Sequence, residues 1–201
     1  MSITFAMTLA SSMFTPVGDF FKHFWVGVLA FFLLIVPVCW LIGDEKIRKK
    51  VPENYALLFA ATIGESCFVA AIAANLTPGS VLTAMAALAI VTGLLYIAAT
   101  YTAVNETLLR NLITAVVIGT FVNLILCILV LVYGTPKNSG LFIMLSVGVC
   151  IIFGAYIVFD LVIILIPGAA DKEDYILHAL SLYLDLVRLF IQLLILLGEE
   201  K

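Results

Sequence analysis

Tyr175-Ile176-Leu177-His178-Ala179-Leu180-Ser181-Leu182-Tyr183-Leu184-Asp185-Leu186-Val187-Arg188-Leu189-Phe190-Ile191-Gln192-Leu193-Leu194 is an apolar run broken at helical intervals by polar groups. His178, Ser181, Asp185, Arg188 and Gln192 follow one another at steps of three, four, three and four, which puts them on one face of a helix. The other sides carry Leu, Ile, Val, Phe, Tyr and Ala, so the polar stripe must look into a bundle. An Asp at the centre of a membrane helix costs roughly 2.5 to 3.5 kcal/mol, and ionisable groups there face a polar interior and mark an ion or proton path.

Composition fixes lipid as the solvent. Of 201 residues, 64% are apolar and 11% charged, and the mean hydropathy is +1.24, outside the range of soluble domains. A net charge of -3 without a long basic run argues against nucleic acid as a partner. Cys39, Cys67, Cys127 and Cys150 lie in apolar stretches without paired spacing and read as small packing residues.

Apolar runs fall at about 23–43, 55–75, 80–103, 110–133, 140–166 and 175–198, each near the roughly 20 residues that cross a bilayer of about 30 Å. Breaks stand at 43–50, 75–79, 105–106, 134–138 and 167–174, where Gly, Pro, Asn and charges cluster. Short links make consecutive helices antiparallel. The expectation is an all-α, multi-pass membrane bundle in a single domain, with six full spans and a partial first helix over about 1–17. If that helix crosses, Lys46, Arg48, Lys49, Lys50, Arg110 and Lys172 oppose Lys22, Lys137 and Lys201, and the N-terminus and the 44–53 loop are expected in the cytosol. The side of the C-terminus stays open, because a polar-striped segment can enter without leaving. Ser146, Cys150 and Gly154 recur every four residues, a stripe that lets another helix backbone approach. The sequons Asn75-Leu76-Thr77 and Asn105-Glu106-Thr107 sit in loops too short to lift an acceptor from the membrane.

Asp160 is the second acid. It lies seven residues before Pro167, about 10 Å from the hairpin turn, while Asp185 lies about 15 Å along its helix. Neighbouring antiparallel helices can therefore bring the two carboxyls together. Asp185 can instead pair with Arg188 at i,i+3, which leaves Asp160 in need of a proton or a donor. Two carboxyls sharing one proton would titrate as a unit, with Arg188 biasing that proton. Glu65 is a third acid inside an apolar span, flanked by Gly64 and Ser66. It reads either as an ion ligand or as a protonated acid bonded to a neighbouring helix. His178 reads as a capping or packing histidine at the entrance of the last helix. No second His or Cys stands at ligand spacing, so a transition-metal site is not expected, whereas calcium prefers carboxylate and carbonyl oxygen.

Ala155-Tyr156-Ile157-Val158-Phe159-Asp160 and Asp174-Tyr175-Ile176-Leu177-His178-Ala179-Leu180-Ser181-Leu182-Tyr183-Leu184-Asp185 resemble signatures of the transmembrane Bax inhibitor motif family, also called Lifeguard. A weaker likeness runs through Tyr55 to Thr102, with Glu65 near an acidic-glycine position of many members. The resemblance implies seven helices around a central last helix, and a pH-sensitive calcium leak across the endoplasmic reticulum or another membrane that restrains cell death. Its paired aspartates would map onto Asp160 and Asp185. Leu161-Val162 stands where Thr-Gln often follows the first Asp, and the chain is expected to begin inside the family's first helix.

The leading expectation is a cation-leak channel, not an enzyme, without a cofactor and with calcium as the permeant ion. Asp160 and Asp185 form a shared-proton latch and bind calcium only transiently, Arg188 biases the latch, and Glu65, His178, Ser181 and Gln192 are candidates for the ion path. An intramembrane aspartyl protease would also need two facing aspartates, but the Gly-x-Gly-Asp run of such enzymes is absent around Leu184-Asp185. A non-conducting protein that binds cell-death regulatory membrane proteins is the remaining reading.

Overall fold

A computed structural model describes residues 1–103, 105–133, 140–166 and 175–200. The described chain is helical throughout: α1 (Ser2–Met13), α2 (Thr15–Lys22), α3 (Phe24–Gly43), α4 (Glu45–Lys49), α5 (Glu53–Ala73), α6 (Pro78–Ala103), α7 (Glu106–Tyr133), α8 (Gly140–Leu165) and α9 (Tyr175–Leu197). This is the all-α multi-pass bundle that the apolar runs imply. Among the described residues, five stretches are long and apolar enough to cross a membrane: α3, α5, α6, Phe142–Leu165 of α8, and α9. The sixth expected span is α7, whose 28 residues give about 42 Å of helix, enough length for a crossing. The breaks expected at 134–138 and 167–174, with Lys137, Lys172 and Lys201, lie outside the described residues.

Lipid as solvent inverts the usual distribution of side chains. Phe24, Trp25, Ile90, Phe121 and Ile151 point outward, while Thr4, Thr8, Ser11, Asn54 and Ser66 are fully enclosed. The expected partial first helix is divided in two. Phe14 is extended, with φ -108° and ψ 111°, and Pro16 stands in the first turn of α2, where a missing N–H is tolerated. α1 lays its hydroxyls along α5: Ser11 Oγ donates to the Ala70 carbonyl at 2.9 Å, and Thr4 Oγ1 lies 3.1 Å from Ser66 Oγ and 3.0 Å from Tyr183 Oη. The α3–α5 crossing is tight at Gly64, where a built Cβ would lie 2.6 Å from the Leu34 nitrogen and 2.8 Å from the Leu33 carbonyl carbon. Only hydrogen fits there.

The last helix is central, as expected. α9 packs between α5, α6 and α8, with Val187, Phe190 and Leu194 in one apolar cluster beside Val69, Leu88 and Ile157. α1 covers it through an edge-on contact of Phe5 with Phe190 at 5.2 Å. The small-residue stripe of α8 serves packing: Gly154 faces Leu95 of α6, and Cys150 packs on the same cluster.

Both rims of the bundle are tied. At the basic rim, Arg48 Nη1 donates to the Leu41 and Ile42 carbonyls that end α3, and the Tyr55 and Tyr175 rings lie 6.1 Å apart. At the opposite rim, the Thr77 N–H donates to the Glu199 carbonyl at 2.9 Å, and Leu76 and Glu200 form an isolated bridge. α9 therefore traverses the whole bundle, and the end of the described chain lies on the opposite side from the 44–53 segment.

Candidate functional site

α8 and α9 form the hairpin that carries the polar stripe, and one bond couples them inside it: Ser181 Oγ donates to Asp160 Oδ2 at 2.7 Å. Asp185 follows one turn deeper and is buried. Its Oδ1 lies 3.6 Å from Arg188 Nη1, and the Arg188 guanidinium sits 5.9 Å from the centre of the Phe153 ring, within cation–π range. Asp160, Ser181, Asp185 and Arg188 all line one cavity of about 590 Å³ between α7, α8 and α9, together with Thr120 and Tyr156. Thr120 Oγ1 and Tyr156 Oη lie 2.6 Å apart and link α7 to α8 at its edge. At about 1.5 Å per residue, Asp160 lies about 8 Å from the Leu165 end of α8, and Asp185 and Arg188 about 15 and 20 Å from Tyr175. The acids therefore descend from the basic rim toward the middle of the bundle.

The two carboxyls face the same cavity, yet no hydrogen bond joins them among the described residues. Ser181 holds Asp160 and Arg188 accompanies Asp185. The bond between the helices is thus hydroxyl to carboxylate, and the i,i+3 pairing is present on α9.

Glu65 lies on the other side of α9. It lines a second cavity of about 330 Å³ with Phe31, Val38, Leu184, Arg188 and Ile191. Its exposure is 6%, and among the described residues no hydrogen bond or ion pair reaches its carboxyl. Arg188 lines both cavities. His178 and Gln192 are half-buried and line neither. Three or more His, Cys, Asp or Glu side chains placed to hold a metal ion together do not occur among the described residues.

Thr120 escaped the sequence reading, and Tyr156 entered it only within the signature that ends at Asp160. Tyr156 stands four residues before Asp160, one turn away on the same face, which was the available signal. Thr120 could not be placed, because nothing local ties α7 to that face.

Over residues 1–201 the chain matches the family described as "Inhibitor of apoptosis-promoting Bax1". Neither a curated protein nor a solved structure matches it.

Proposed function

The chain belongs to the Bax inhibitor family, matched along residues 1–201, and from that premise we propose that this integral membrane protein is a pH-sensitive calcium-leak channel that restrains apoptosis. Its proposed seat is an intracellular membrane, the endoplasmic reticulum first. The observation that carries the reading is the cavity in which Asp160, Ser181, Asp185 and Arg188 stand together between the helices of the bundle.

In the proposed gate, Asp160 and Asp185 are the acid-sensing groups, and the Ser181–Asp160 bond is the link that a proton weakens. A hydroxyl bonded to a carboxylate is held more strongly than one bonded to a neutral acid. Protonation of Asp160 therefore loosens α8 from α9, and protonation of Asp185 releases its hold on Arg188. Acid favours the open state. A calcium ion then exchanges water for the carboxylate and hydroxyl oxygens along the stripe, with Ser181 in the larger cavity, His178 and Gln192 about one turn beyond the cavity's α9 residues on the same helix, and Glu65 at the smaller cavity.

Efflux from calcium-loaded vesicles across pH tests this reading. Wild type is expected to leak faster as pH falls, and Asp160→Asn to leak faster at neutral pH by about tenfold, the worth of one charge-assisted bond reduced to a neutral one. Asp185→Asn is expected to flatten the pH profile. Unchanged, pH-independent efflux in all three proteins would overturn it.

A further inference from the structure

Glu65 and Arg188 stand at the same depth. α5 and α9 start together at the basic rim, where Tyr55 meets Tyr175. Glu65 comes 12 residues after Glu53 and Arg188 comes 13 after Tyr175, about 18 and 20 Å along their helices. Both line the smaller cavity, and Arg188 alone also lines the larger one. Its ion pair with Asp185 is loose at 3.6 Å, and its side chain is 55% exposed. Glu65, by contrast, is enclosed and has no ion-pair partner among the described residues. A buried carboxyl without a partner is costly, and so is a guanidinium that is weakly held at mid-membrane depth. One movement of one side chain would relieve both.

Resting on the leak reading, we propose that Arg188 is the cation barrier of the larger cavity and that Glu65 is the second seat of its guanidinium. Beside Asp185, the guanidinium neutralises that acid and repels a cation that enters past Asp160. Swung to Glu65, it leaves the larger cavity lined by two carboxyls with no fixed counter-ion. Glu65 then acts as a positioning residue for the barrier rather than as a ligand of the ion. Arg suits this role because it keeps its charge in either seat and pairs with carboxylate through several N–H donors.

Vesicle efflux of wild type, Arg188→Gln, Arg188→Lys, Glu65→Gln and the double variant Arg188→Gln/Glu65→Gln separates the roles. Arg188→Gln is expected to raise efflux about tenfold or more, since a unit charge a few ångströms from the ion is removed. Arg188→Lys keeps the barrier charge and so a low rate, which shows that the position tolerates exchange. Glu65→Gln is expected to lower efflux in the wild-type background and to have no effect once Arg188 is Gln. Equal effects of Glu65→Gln in both backgrounds would make Glu65 a ligand of the ion and overturn the second seat. Failure of the leak reading is visible separately, as wild-type efflux equal to that of empty vesicles at every pH. In that event the two seats are judged by solid-state dipolar recoupling between guanidinium nitrogen and glutamate carboxyl carbon. A contact that disappears in Glu65→Gln supports the proposal, and absence of such a contact in wild type overturns it.

Discussion

The two sides of α9 solve the same problem in different ways. Toward α1, polar groups are neutral hydroxyls that find each other or a backbone carbonyl: Thr4 with Ser66 and Tyr183, and Ser11 with Ala70. Toward α7 and α8, the polar groups are charged and stand around a cavity of about 590 Å³. Neutral hydroxyl pairs close a membrane bundle at little electrostatic cost, whereas acids beside a cavity keep part of that cost in exchange for a response to protons and cations. The first side is built to stay, and the second to change.

The comparison breaks most completely at Gly64. Gly64→Leu drives a side chain into the α3 backbone, where even a Cβ would lie 2.6 Å from Leu34 N. Loss of the monodisperse, folded protein in detergent gel filtration is expected, whereas Gly148→Leu, at an α8 position where a Cβ meets nothing within 4 Å, is expected to stay folded.

Ser181→Ala tests the other side at intermediate strength. It removes the donor that Asp160 accepts at 2.7 Å, so a loss of about 1–3 kcal/mol is expected in unfolding by denaturant in micelles, together with faster leak at neutral pH. Preserved stability with unchanged leak would mean that α8 and α9 are not coupled there.

The smallest effect is expected at Thr4→Val, which deletes hydroxyl contacts on the closed side. Hydrogen bonds between membrane helices average about 0.6 kcal/mol, and the pH profile of efflux should not move. A shifted profile would show that the two sides are not separate.

How much was legible in the sequence follows the same division. The stripe of α9 was readable because charges at three- and four-residue steps stand out against Leu and Ile, and Asp160, Ser181, Asp185 and Arg188 do come to one cavity. The partner of each acid was not readable, since a choice between a carboxyl and a serine one turn away depends on the rotation of α8 against α9. Thr4, Thr8 and Ser11 also carry helical spacing. Hydroxyls cost too little in an apolar run to announce a buried face, and a segment shorter than a full span draws attention away from it. The second cavity depends on the approach of α3 to α5 at Gly64, a long-range contact that a glycine permits without specifying.

α9 is fastened at its two extremities, by the pairing of Tyr175 with Tyr55 and by the backbone bond from Thr77 to Glu199. A rod clamped at top and bottom cannot travel like a piston along its own length. The freedom left to it is torsion, and a few degrees of twist would carry Asp185 and Arg188 sideways together while both clamps hold. A mechanism for this protein should therefore be sought in angles rather than in displacements.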